Sequence, residues 1–265
     1  MNNDNNNDDF MESKEARPAR IIAEYLEAQE LLEHEHIHNT IVMFGSARIL
    51  PQQEAEANLN AVIESISKLE NKIEAQKLLK KAEHKLEISK YYEQASELAF
   101  KFANWSKQFK ASQKYYICSG GGPGIMEAAN KGAYDAGEKT IGLNIHLPFE
   151  QKFNRYLTKE QVVNFNYFFM RKFWFAYYAK AFVIFPGGFG TMDEMFEMLT
   201  LVQTNKMKKH IPFVLFGKDF FNNLINLELL EKYSLISEKD KDLFLVTDSV
   251  EEAFNYVTER LISMD

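Results

Sequence analysis

Only one cysteine, Cys118, stands among 265 residues. No intrachain disulfide can form, and a reducing cytoplasm is the expected compartment. Long apolar runs are also missing; none approaches the roughly 20 residues of a membrane-spanning helix. The amino end, Met1-Asn2-Asn3-Asp4-Asn5-Asn6-Asn7-Asp8-Asp9, has neither the basic start nor the apolar core of a signal peptide, so none is expected. Basic charge is scarce: 31 Lys plus Arg face 38 Asp plus Glu, a net charge of −7. Nucleic-acid binding, which depends on neutralising many phosphates, is not expected, though a local basic pocket for one phosphate is compatible with this balance. His34, His36 and His38 alternate, a spacing that suits neither a helical metal-binding pair nor a zinc pattern, and no cysteine is near. No metal site is expected. Cys118 and Ser119 lack a nearby base and the Gly-X-Ser-X-Gly elbow of a nucleophile. Nor does a Gly-X-Gly-X-X-Gly loop with a later acidic partner follow the first apolar run, which argues against a dinucleotide-dependent oxidoreductase.

What is present is the balance of a soluble globular chain, 46% hydrophobic and 26% charged. Residues 1–13 are Asn/Asp-rich and expected to be disordered; residues 14–265 read as a single domain. A helix is expected from Ala19 to Glu35, carried by Ile21, Ile22, Tyr25, Leu26 and Leu32. Thr40-Ile41-Val42-Met43-Phe44 reads as a buried strand ending at Gly45-Ser46-Ala47-Arg48, where Arg48 is either a ligand contact or a surface residue. Residues 54–110 form a charged helical insert, with a seam through Leu59, Val62, Ile66, Leu69 and Ile73. No Gly or Pro interrupts Lys72 to Lys90, so a projecting hairpin or an oligomer contact is expected there.

Further strands are expected at Tyr115–Cys118, Thr140–Ile145, Val162–Phe165, Ala181–Phe185, Ile211–Gly217 and Phe244–Val246. Helices are expected from Ile125, from Phe168 to Lys180, after Gly190, from Phe220 to Tyr233 and from Val250 to Ile262, the last capped by Asp248 or Ser249. A polar loop, Glu150 to Asn154, should border the cleft. Strands alternating with helices imply an α/β fold: a Rossmann-like, doubly wound, mostly parallel sheet with helices on both faces. Ligands of such sheets bind at the carboxyl ends of the strands. Two glycine loops lie at such ends, Ser119-Gly120-Gly121-Gly122-Pro123-Gly124 and Pro186-Gly187-Gly188-Phe189-Gly190-Thr191. Exposed backbone N–H groups and the positive end of the following helix favour an anion such as phosphate. Thr191 is placed to cap that helix or to join the anion, and Glu194 to face a ligand. Glu127 and Asn130 lie one helical turn apart beside the other loop. Arg171 and Lys172 sit in an aromatic helix, where a charge is costly unless paired or wet, so one of them should point into the cleft.

The loop Ser119 to Glu127, the Met170-Arg171-Lys172 triplet and the run Pro186 to Glu194 together resemble the LOG family, often labelled "possible lysine decarboxylase". The resemblance covers roughly Thr40 to Ile262. It implies a nucleoside 5′-monophosphate phosphoribohydrolase of the AMP nucleosidase-like bacterial branch, releasing free base and ribose 5-phosphate. It also implies a homodimer or larger homo-oligomer, no cofactor and no metal. Catalytic roles carry over to Arg171 and Glu194. Substrate contacts carry over to Gly45, Ser46, Ser119, Gly120, Gly121, Glu127, Lys172, Gly187, Gly188, Gly190 and Thr191. The insert and the Asn/Asp-rich tail depart from compact members. Decarboxylation finds no support in these residues, since no lysine has the local context of a pyridoxal phosphate Schiff base. The other reading is a non-catalytic nucleotide sensor of the same fold.

Overall fold

A computed structural model describes residues 10–147, 153–207 and 211–263. Seven strands form one sheet: β1 Thr40–Phe44, β2 Tyr116–Ser119, β3 Thr140–Ile145, β4 Val162–Phe165, β5 Ala179–Ile184, β6 Phe213–Phe216 and β7 Leu245–Thr247. Every pairing is parallel, in the order β4-β3-β2-β1-β5-β6-β7. The chain therefore lays strands outward from β1 in one direction, then returns to its other side with β5. That reversal opens a crevice above β1 and β5, at the carboxyl ends of both.

Both faces of the sheet are covered, so most strand positions are apolar and buried rather than alternating with exposed polar residues. All five residues of β1 are buried. Ile41 and Met43 join one core, Val42 and Phe44 the other, as the two-residue period of a strand requires. The first core is closed by α3 Lys72–Ser106, α4 Ile125–Asp135 and α9 Val250–Ile262. The second is closed by α1 Arg17–His34, α5 Phe168–Tyr177, α6 Phe189–Gln203 and α7 Lys218–Leu224. Two further α-helices are α2 Gln52–Ile66, which packs on α3, and α8 Leu227–Lys232.

Several expectations need correction. Within the stretch 1–13 expected to be disordered, residues 10–12 form a helical turn, and the Arg20 guanidinium donates to the carbonyls of Met11 and Ser13. Residues 1–9 lie outside the described set. The seam through Leu69 and Ile73 does not exist as one helix: α2 stops at Ile66, and Asn71 caps α3 by accepting from the N–H groups of Ile73 and Glu74. From there α3 runs unbroken for 35 residues, its first half solvated and its second half packed on the sheet. The aromatic helix ends at Tyr177 rather than Lys180, because β1 recruits Ala179 into the sheet. Residues 220–233 are two short helices, parted where Asn226 caps the second. Ser249, not Asp248, caps α9; Asp248 instead accepts from the Lys218 N–H.

Candidate active site

Three loops meet above the crevice. The Ser46 N–H donates to the Pro186 carbonyl at 3.0 Å, and the Ser46 carbonyl accepts from the Ile125 N–H at 3.1 Å. The loops after β1, β2 and β5 are thus stitched to one another through backbone alone. Contact this close needs glycine. Gly124 has φ +70°, and a Cβ there would strike Ser46 and Ala47. Gly45 lies equally close to the Ile125 side chain. The Ser46 hydroxyl accepts from the Arg48 N–H, and the Arg48 side chain is exposed.

Under the second loop lies a buried polar network. The Ser119 hydroxyl donates to Asn130 Oδ1 at 2.7 Å and accepts from the Gly121 N–H at 3.0 Å. Asn130 Nδ2 donates to Thr140 Oγ1 at 2.6 Å. Asn154 Nδ2 reaches Asn130 Oδ1 at 2.9 Å, the Gly121 carbonyl at 3.0 Å and the Gly122 carbonyl at 3.1 Å. Ser119 and Asn130 are wholly buried, so they shape the loop from beneath instead of facing the cleft. Gly120 and Gly121 are buried as well, and a Cβ on Gly121 would press on Gly142 and Leu157. A Cβ on Gly120 would stand 3.8 Å from Arg171 Nη1, which places this loop beside the arginine. The polar loop expected before Asn154 lies largely outside the described residues.

The third loop enters α6. Gly188 is the N-cap and makes no side-chain cap, so Thr191 does not cap this helix. The first helical bond runs from the Met192 N–H to the Gly188 carbonyl. The N–H groups of Phe189, Gly190 and Thr191 therefore have no backbone partner among the described residues. A Cβ on Gly188 or Gly190 would meet open space, and Phe189 is 96% exposed, so this side of the loop is free for a ligand. Gly187 differs: a Cβ there would collide with Thr191, whose buried side chain fills that position.

In the second turn of α6, Glu194 Oε1 accepts from Arg171 Nη2 of α5 at 2.6 Å, both side chains being 11% exposed. Burial disfavours charge on both partners. It pushes the Glu194 carboxyl up to about 7, because desolvation outweighs the guanidinium that pulls the other way. The Arg171 guanidinium is lowered by the same burial. Its Nε is buried without a partner among the described residues, and the rings of Phe168 and Phe175 lie 5.4 and 5.6 Å from Cζ. Lys172 faces elsewhere: its ammonium is shared by Asp193 at 3.2 Å and by Glu197, bonds that raise its pKa. Of the adjacent cations, Arg171 is the one turned to Glu194.

Glu127 occupies the first turn of α4. Its Oε1 accepts from the Tyr92 hydroxyl at 3.1 Å and lies 3.8 Å from Arg155 Nη2. Glu127 thus faces α3 and Arg155, while Asn130 points inward, so the two do not share a face. Tyr92 and Glu24 escape sequence reasoning, because their partners Glu127 and Asn166 lie 35 and 142 residues away; the sequence places Asn154 at the cleft but does not reveal its partner Asn130. Among the described residues no group of three or more His, Cys, Asp or Glu side chains could hold a metal ion. Among the described residues no helix is long and apolar enough to cross a membrane.

Comparison with known proteins bears on this arrangement. The family described as possible lysine decarboxylase matches residues 126–257. A probable cytokinin riboside 5′-monophosphate phosphoribohydrolase, LOG4 of Oryza sativa subsp. japonica, is 28% identical over 157 residues, 58% of this chain and 66% of that protein's length. Two solved structures are similar at TM-scores below one half. The structural genomics target TM1055 is 18% identical, with 83% of this chain and 99% of the other covered and a TM-score of 0.48. The molybdenum cofactor carrier protein of Chlamydomonas reinhardtii is 22% identical, with 66% and 90% covered and a TM-score of 0.44. The matched stretch holds Glu127, Arg171, Lys172 and the whole run from Pro186 to Glu194, and on that basis the chain belongs to the LOG, or possible lysine decarboxylase, family.

Proposed function

We propose that this protein is a nucleoside 5′-monophosphate phosphoribohydrolase with AMP nucleosidase-like specificity. The observation that carries the reading is the buried Arg171–Glu194 pair, one turn beyond a helix start whose N–H groups are open. The 5′-phosphate is held by the N–H groups of Phe189, Gly190 and Thr191 and by the positive end of α6. Gly188 and Gly190 let the phosphate approach the backbone, Gly187 makes room for the Thr191 side chain, and the loops carrying Gly45, Ser46, Gly120 and Gly121 border the other side of the crevice. A phosphate seated there brings the ribose toward Glu194.

Cleavage of the C1′–N bond builds positive charge on the ribose ring. An ionised carboxylate beside C1′ stabilises that charge and orients the attacking water. Water supplies hydroxide to C1′, and its remaining proton ends on the departing base. Arg171 keeps Glu194 in place, and its unpartnered Nε is available to a phosphate or ribose oxygen. Binding energy from the unreactive phosphate is used to orient the reacting bond. A single buried cysteine suits the reducing cytoplasm where free nucleotides occur. Phe168, Phe169, Phe173 and Tyr177 of α5, Phe196 of α6, and Ile22 and Leu26 of α1 are exposed; we assign this apolar surface to a second copy of the chain.

The test is incubation of the purified protein with AMP, GMP, CMP and UMP, with chromatography for free base and sedimentation velocity on the same preparation. Base and ribose 5-phosphate should appear in equal amounts, fastest from AMP, and Glu194→Gln should abolish release while keeping the fold. Nucleotide binding without base release would favour the sensor. A monomer at assay concentration would remove the second copy.

A further inference from the structure

Glu24 lies in the middle of α1, ahead of the matched stretch. Its side chain is buried and turned onto the start of α5. Oε1 accepts from the backbone N–H of Asn166 at 2.8 Å and from Asn166 Nδ2 at 2.8 Å. Oε2 accepts from the Tyr167 N–H at 3.3 Å. Three donors and the positive end of a helix meet this carboxylate, an arrangement that offsets the cost of burying it.

Tyr167 is the N-cap of α5 and makes no side-chain cap of its own. Its carbonyl accepts from the N–H groups of Met170 and Arg171, at 3.1 and 3.2 Å. The backbone of Arg171 thus hangs from Tyr167, and Tyr167 hangs from Glu24. Next to Glu24, the Tyr25 ring packs on Phe173 and Trp174 at 5.7 and 5.1 Å. A purely apolar contact would bind α1 to α5 without fixing its register along the axis. Directed hydrogen bonds fix it.

We propose that Glu24 is a positioning residue: by holding Asn166 and Tyr167 it sets the first turn of α5, and so the place of Arg171 against Glu194. Its effect on turnover rests on the phosphoribohydrolase reading; its effect on the ion pair does not. The ionisation of Glu194 answers to Arg171, Asp193, Lys172 and Glu197. Moving Arg171 away removes the partner that lowers the Glu194 carboxyl, which then titrates higher.

The experiment follows the Glu194 carboxyl by carbon-13 NMR titration, and kcat and KM for AMP, in wild type, Glu24→Ala and Glu24→Gln. Glu24→Ala strips all three donors of their acceptor. In Glu24→Gln the amide oxygen still accepts both Asn166 bonds. Glu24→Ala should raise the Glu194 titration by about one pH unit. It should lower kcat about ten- to a hundredfold, with a smaller rise in KM, since misplacing a reacting group by about 1 Å costs on that scale. Glu24→Gln should restore most of both. A folded Glu24→Ala with unchanged Glu194 titration and unchanged kcat overturns the proposal, whatever its melting temperature. If that variant does not fold, Glu24→Asp is judged by the same two readouts, since its shorter carboxylate cannot reach all three donors. A shifted titration in a protein whose wild type releases no base would leave the positioning role standing and remove the phosphoribohydrolase.

Discussion

Replacing Arg171 by methionine tests the reaction centre most directly. Methionine has nearly the length of the arginine stem and keeps contact with Phe168 and Phe175, so the change is mainly loss of charge. In the wild type, burial raises the Glu194 carboxyl to about 7 although Arg171 pulls it down. A unit pair about 4 Å apart at an effective dielectric constant of 20 is worth about 4 kcal/mol. At about 1.4 kcal/mol per pKa unit, that caps the upward shift near 3 units. Water entering the space left by the guanidinium reduces it to about 1–2 units. Since the proposed chemistry uses the ionised carboxylate, kcat should rise with pH through about 7 in the wild type. In Arg171→Met the same limb should lie about 1–2 units higher, with a lower plateau.

Stability should run opposite to kcat with pH. The folded carboxyl titrates above its ordinary value of 4.5, so its stabilising contribution is full at acid pH and lost as pH rises from 4.5 through about 7. In the variant that loss moves to higher pH. Because the carboxyl can take up a proton, the cost at neutral pH should be about 1–3 kcal/mol, below the 3–5 of a broken buried pair. The assay is the pH dependence of base release from AMP, with urea unfolding at matched pH. An acid limb still near 7 in Arg171→Met would refute the assignment of that limb to Glu194 and the role given to Arg171.

Two further changes test the loops. Gly187→Ala puts a methyl group against Thr191 and should cost about 1–3 kcal/mol in urea unfolding while raising KM for AMP; unchanged KM would separate this glycine from the phosphate. Asn154→Ala removes the amide that reaches Gly121, Gly122 and Asn130 and should cost about 1–3 kcal/mol, with weaker nucleotide binding by calorimetry. Full stability in that variant would mean the network beneath the second loop is dispensable.

The amino-acid sequence by itself determined the strands, their parallel arrangement and the glycine loops. Apolar runs such as Thr40–Phe44 have no other stable place than a sheet covered on both faces, and strands separated by helices run parallel. The family residues were legible too, because Met170-Arg171-Lys172 and Pro186 to Glu194 are contiguous in the chain. Element ends were less legible. Tyr177 ends α5 because β1 draws Ala179 into register, and that partner lies more than a hundred residues away.

Only the tertiary structure decided which polar residue meets which. Arg171 and Lys172 are adjacent and alike in sequence, yet one is buried on Glu194 and the other is held by Asp193 and Glu197. Ser119 lies in the loop that meets the nucleotide in the proposed function, but its hydroxyl is spent beneath that loop on Asn130 and Gly121. Glu24 reads as one more charge on an amphipathic helix until α1 docks on α5. The physical reason is common to all three: a polar side chain's role is set by the partner that satisfies it after water is excluded, and local sequence does not encode that partner.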